Sequence, residues 1–147
     1  MYRAAHITTN RTAHDIAIGG THDIAEVLRQ RHIESLSAHD DLDFWFSPSL
    51  ITTQRLNIFA TDLLLLASTR YGASSVPLLY GDIVVAAHNP SGALADLTKD
   101  HLERLRAVLG WRREWILNWR YDFAERRARS CAKSRVCAHA EGIHRAF

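Results

Sequence analysis

The pattern of apolar positions is most informative at Ile83-Val84-Val85-Ala86-Ala87. This short run is rich in β-branched residues and shows no polar alternation, with Gly81 before it and Asn89-Pro90-Ser91-Gly92 after it. It predicts a strand buried on both faces at the centre of a small domain. Tyr2 to Thr9 alternates instead, with Arg3, Ala5 and Ile7 on one face and Tyr2, Ala4 and His6 on the other. It predicts a first strand, turned at Asn10-Arg11 into a second over His14–Ile18 that stops at Gly19-Gly20. Ile33–Ala38 and Leu42–Phe46 predict another pair, joined by a turn at His39-Asp40-Asp41 and ended before Pro48.

Between these strands the period changes to that of a helix. Thr21 is a good N-cap, Asp23 suits a first turn, and Ile24, Val27 and Leu28 form an aliphatic face. A second helix is expected from Thr52 or Thr53 to near Gly72. Its inner face is Leu56, Phe59, Ala60, Leu63, Leu66 and Ala67, widened by Leu64 and Leu65. A third helix is expected to be capped at Thr98 and to run at least to Gly110. Trp111, Trp115, Trp119 and Phe123 then recur every four residues and extend it as an aromatic stripe on one helical face.

The order of elements predicts an α+β fold: a small mixed β-sheet of about five strands, helices packed on one face, and a long basic C-terminal helix. Residues 1–97 form the mixed α+β core, 98–130 the long C-terminal helix, and 131–147 a basic tail expected to be poorly ordered. The core prediction groups Ile83, Val84, Val85, Leu63, Leu66, Phe59, Val27 and Leu28.

Composition adds limits. At 147 residues and 47% hydrophobic, the chain has the size and content of a single globular domain with a real core. Tyr2 to Thr9 lacks the basic-then-apolar form of a signal segment. The run Leu63–Ala67 is too short to span a bilayer. Two cysteines make no disulfide framework, so reduced thiols and a cytoplasmic location are expected. Charge is divided: residues 1–103 carry 7 Lys/Arg against 12 Asp/Glu, and residues 104–147 carry 11 against 4. A basic end on an acidic body suits a polyanion or an acidic protein surface, or docking on the body of its own or another copy.

Asn57-Ile58-Phe59-Ala60 and Gly81-Asp82-Ile83-Val84-Val85 are similar to an Asn-x-x-Ala helix and a Gly-Asp-x-Val-Val strand. These occur in a small uncharacterised domain family of actinobacteria and their phages and plasmids. The resemblance covers roughly residues 2–100. It implies a mobile-element accessory protein and brings no catalytic residues with it. Where that family has a Gly-Gly pair after its first helix, this chain has Gln30-Arg31-His32.

Candidate chemistry is sparse. His14-Asp15, His22-Asp23 and His39-Asp40 contain the residue types of a metal-dependent hydrolase. Adjacent residues on a strand point to opposite faces, however, so His14 and Asp15 cannot share a ligand. Cys131, Cys137, His139 and His144 are ligand types for zinc, but structural zinc sites favour a shorter spacing between the cysteines. No Gly-rich phosphate loop and no nucleophile elbow occurs, and no cofactor is expected.

The C-terminal helix carries the leading expectation. Arg112, Arg113, Arg120, Arg126, Arg127 and Arg129 surround the Trp111, Trp115, Trp119 and Phe123 stripe, and residues 104–147 hold ten arginines to one lysine. The arginine fork binds phosphate or carboxylate bidentately and stacks on aromatic faces. A non-enzymatic accessory protein contacting nucleic acid or an acidic host protein is therefore expected. The alternatives are a homo-oligomer assembled through the aromatic stripe and a small metal-dependent hydrolase. The interleaved Glu114, Asp122 and Glu125 argue against a membrane surface.

Overall fold

Ile83, Val84, Val85, Ala86 and Ala87 are all buried, and with His88 they form the central strand of the sheet. The computed structural model describes residues 1–38, 41–49, 54–107 and 119–130. In chain order the elements are β1 (Tyr2–Ile7), β2 (Ala13–Ile18), α1 (Thr21–Leu28), β3 (Glu34–Ala38) and β4 (Leu42–Phe46). There follow α2 (Ile58–Ala67), β5 (Ile83–His88), β6 (Leu94–Ala95) and α3 (Lys99–Ala107). Residues 119–130 are helical as well and are called α4.

The α+β class is as expected. The sheet runs β2-β1-β5-β4-β3, with β6 also paired to β5. Every pair among these strands is antiparallel, and the strands number six rather than about five. The two-residue β6 has too little pattern to be read from sequence. Pairing of β1 with β5 is recorded from Ile7↔Ile83 to Ala5↔Val85, while Ala87 and His88 pair with β6. The β1 backbone then bonds the segment after β6: Arg3 N donates to Asp96, and Leu97 N to the Arg3 carbonyl.

Helices cover both faces of the sheet rather than one. Ile83, Val85 and Ala87 join α2, Phe44 and Ile7 in the larger core, whereas Val84 and Ala86 join Ile24 and Leu28 of α1 in the other. The reason lies in β5 itself. A strand with apolar residues on both faces must be covered twice, because successive side chains point to opposite sides. The residues expected to be buried together thus divide between two cores. Phe59 and Val27 are only half-buried, and Leu66 is exposed.

Local chemistry explains where α2 begins. Leu56 forms an isolated bridge with Tyr80, Gly81 N donates to the Arg55 carbonyl, and Asn57 N to the Leu79 carbonyl. Residues 55–57 are thus held along 79–81, and the helix starts only after Asn57, whose side chain accepts from Ala60 N at 3.0 Å. It ends at Ala67 rather than near Gly72, with Ser68 Oγ accepting from Arg70 N. Ser68, Ala73, Val76 and Leu79 anchor the following loop by burial.

Thr98 does cap α3. His101 N donates to Thr98 Oγ1, and Thr98 N donates back to His101 Nδ1, the reciprocal arrangement of a capping box. Residues 108–118, which would join α3 to α4 in one long helix, lie outside the described residues. The tail at 131–147 lies outside them as well. No helix among the described residues is long and apolar enough to cross a membrane.

Candidate nucleic-acid interface

Residues 119–130 contain neither glycine nor proline and include Ala124 and Ala128, a composition that favours helix. One side of α4 is fixed to the body. Tyr121 is buried in the larger core, and its hydroxyl donates to Asp62 Oδ1 of α2 at 2.8 Å. The Arg120 guanidinium donates to the carbonyls of Ala73 and Val76, at 2.8 Å each. One contact reaches the middle of α2 and the other the loop that follows it, and together they hold the position and the rotation of α4.

The other side faces solvent. Trp119 and Phe123 are 63% and 58% exposed, and their rings stack with centroids 5.9 Å apart and planes inclined by 24°. Arg126 follows three residues after Phe123 and Arg127 four, so both lie near the aromatic pair on the helix surface. Arg126, Arg127 and Arg129 are exposed. Arg129 approaches Glu125 at 3.8 Å, whereas Arg126 and Arg127 have no ion-pair partner among the described residues. Burial pushes the Tyr80 hydroxyl above its ordinary range, with Arg127 and Arg120 acting in the opposite direction.

Of the residues expected at this site, the structure stacks Trp119 on Phe123 and leaves Arg126, Arg127 and Arg129 exposed on the same helix. Arg120 serves the fold instead, because its fork matches two loop carbonyls. Trp111, Trp115, Arg112 and Arg113 lie outside the described residues, as do Cys131, Cys137, His139 and His144. Sequence reading missed Tyr121 and Asp62. A tyrosine two residues after Trp119 is off the aromatic stripe, and a charged aspartate ahead of the leucine run of α2 was the available signal for a buried partner.

The histidines pair in ways that adjacency in sequence does not suggest. His14 lies beside His6 across the β1–β2 pair, with ring centroids 6.3 Å apart, while Asp15 bonds Arg3 at 2.6 Å. The two members of the dipeptide thus engage different partners. His22 approaches Glu26 at 3.1 Å, and Asp23 instead accepts from Gly19 N. His39 and Asp40 lie outside the described residues. His6 Nε2 is 2.9 Å from Asp82, and His88 Nδ1 is 2.9 Å from Asp43. Asp43 also accepts from Ser37 Oγ at 2.7 Å. In that chain the carboxylate stands between hydroxyl and imidazole, so the imidazole is not placed to take the serine proton as in a hydrolase triad. Among the described residues no group of three or more His, Cys, Asp or Glu could hold a metal ion.

Comparison of the chain with family models, with curated proteins and with solved structures finds no match. Its class therefore rests on the fold: a six-stranded antiparallel α+β sheet with a C-terminal helix docked on one side.

Docking of that helix is testable directly. Tyr121→Phe keeps the ring and removes the donor to Asp62. A loss of about 1–3 kcal/mol is expected, measured as a lower urea midpoint. An unchanged midpoint would show that this hydrogen bond does not hold the helix.

Proposed function

We propose that the protein is a non-enzymatic, cytoplasmic binding module of a phage or plasmid that contacts nucleic acid through α4. An acidic protein face is the second class of partner. The observation carrying this reading is the division of α4 into a docked face and an exposed one. Tyr121 and Arg120 are used to hold the helix, while Trp119, Phe123, Arg126, Arg127 and Arg129 remain available to solvent. Guanidinium groups bind phosphate, and aromatic rings bind bases. The mobile-element setting is supported by the resemblance carried by residues 57–60 and 81–85.

Affinity for nucleic acid is expected to fall linearly with salt on logarithmic axes. Replacing Arg126, Arg127 and Arg129 together by Gln should reduce the slope by about 2 if all three meet phosphates of a single strand. The measurement is anisotropy titration of labelled DNA and RNA at several salt concentrations, with circular dichroism to confirm the fold. Absence of binding at low salt, where the attraction is strongest, rejects nucleic acid as the partner.

The exposed aromatic pair also favours a second reading, a homo-oligomer assembled through α4. Assembly through buried aromatics tolerates or prefers salt, whereas phosphate contact weakens steeply with it. Light scattering at low and high salt separates the two. A salt-insensitive dimer that loses its association in Trp119→Ala favours assembly.

A further inference from the structure

Resting on the nucleic-acid reading above, we infer that the α4 face selects unpaired over duplex strands, with Trp119 and Phe123 as the stacking platform. The argument begins with charge. Residues 119–130 carry four arginines and two acids. Arg120 is spent on the Ala73 and Val76 carbonyls, Arg129 lies near Glu125, and Asp122 is exposed on the same helix. That leaves Arg126 and Arg127 as the cations of α4 with no ion pair among the described residues, although Asp122 stands one turn before Arg126. From α4 itself, two such cations make few phosphate contacts with a duplex, whose affinity depends heavily on the number of phosphates neutralised.

The aromatic pair points the same way. In a duplex the base faces are stacked on each other and closed to outside rings, and the backbone presents phosphate and sugar. Trp119 and Phe123 would gain little there, and their exposed apolar surface would face a hydrated polyanion. An unpaired strand offers base faces. Each base stacked on a protein aromatic contributes substantially and with little regard to sequence. Trp119 and Phe123 already stack on one another, which fixes the two rings in a common orientation before any base arrives. Their exposure leaves ring surface for a base. Arg126 and Arg127 lie roughly 11 Å further along the helix axis from Trp119, a span that suits phosphates of the same strand one or two nucleotides away. The fixed docking of Tyr121 and Arg120 keeps this face turned outward.

The test compares oligo-dT with a mixed-sequence duplex of equal length at low salt, on the full chain. Wild type is expected to bind the single strand about tenfold or more tightly than the duplex. The double variant Trp119→Ala/Phe123→Ala should lose about tenfold or more on oligo-dT while changing little on duplex. Trp119→Phe, which keeps a ring, should restore part of the loss. Equal wild-type affinity for both forms overturns strand selection while leaving nucleic-acid binding in place. A variant that loses single-strand and duplex affinity equally, with its thermal unfolding unchanged, also overturns it. No binding to either form rejects the underlying reading and this inference with it.

Discussion

Asn57→Ala is expected to destabilise the protein by about 3–5 kcal/mol, a large part of the stability of a domain this size. Asn57 is wholly buried and uses both ends of its amide. Its Nδ2 donates to the carbonyls of Ile7 at 3.1 Å and Gly81 at 2.8 Å, and its Oδ1 accepts from Ala60 N. Alanine would leave two buried carbonyls and one helix N-terminal N–H without these partners. The urea midpoint should fall by about 2 M. Asn57→Asp supplies the sharper comparison, because it keeps the helix-capping oxygen and replaces the donor by a second oxygen facing two carbonyls. It should be at least as damaging as alanine. An aspartate variant with the wild-type midpoint would show that capping alone matters and that the two carbonyl bonds contribute nothing.

The same residue explains how much of the fold was legible. The two short motifs behind the family resemblance meet physically: Asn57 opens one and caps Ala60 of the same motif, and its amide reaches Gly81 of the other. Gly81 has a φ of 73°, a conformation that costs other residues about 1–2 kcal/mol. Asp82 reaches His6 on the neighbouring strand. These positions hold the start of α2, the end of β1 and the entry to β5 together, so they read as architecture rather than chemistry. Strands were legible because alternation and turn residues are local. The position of α2 was less so, because Thr52 and Thr53 look like good caps, whereas the extended pairing of Leu56 with Tyr80 depends on contacts far along the chain.

The candidate site divides along the same line. Period four placed Trp119 and Phe123 on one face, and composition marked the arginines, but neither says which arginine turns inward. Arg120 and Arg126 are alike as letters. The structure separates them because Tyr121, one position on, has a buried acceptor in Asp62, and this fixes the rotation of the helix. A charged residue on an apolar helix was the clue to that acceptor, since a buried aspartate requires a partner. The pairs His6–Asp82 and His88–Asp43 had no comparable signal, since they form between strands whose register the sequence does not state.

Leu63 and Leu66 provide the second large test, because the helical period put both on one inner face and the structure separates them. Leu63 is 2% exposed and lies in the larger core, whereas Leu66 is 44% exposed. Residues 60–65 of α2 are buried in succession, so the helix is enclosed nearly all round before its last turn emerges. Truncating Leu63 to alanine removes buried methyl groups and leaves a cavity, and should cost about 2–5 kcal/mol. Leu66→Ala removes a side chain that is already partly in water and should change stability by less than about 1 kcal/mol. The contrast is the discriminating quantity, since both substitutions delete the same atoms and alter helix propensity equally. Urea denaturation of the two variants beside wild type measures it. Equal midpoints for the two would mean that α2 is rotated from the position described. A large loss at Leu66 alone would place that side chain under a cover supplied by a second copy or by residues outside those described.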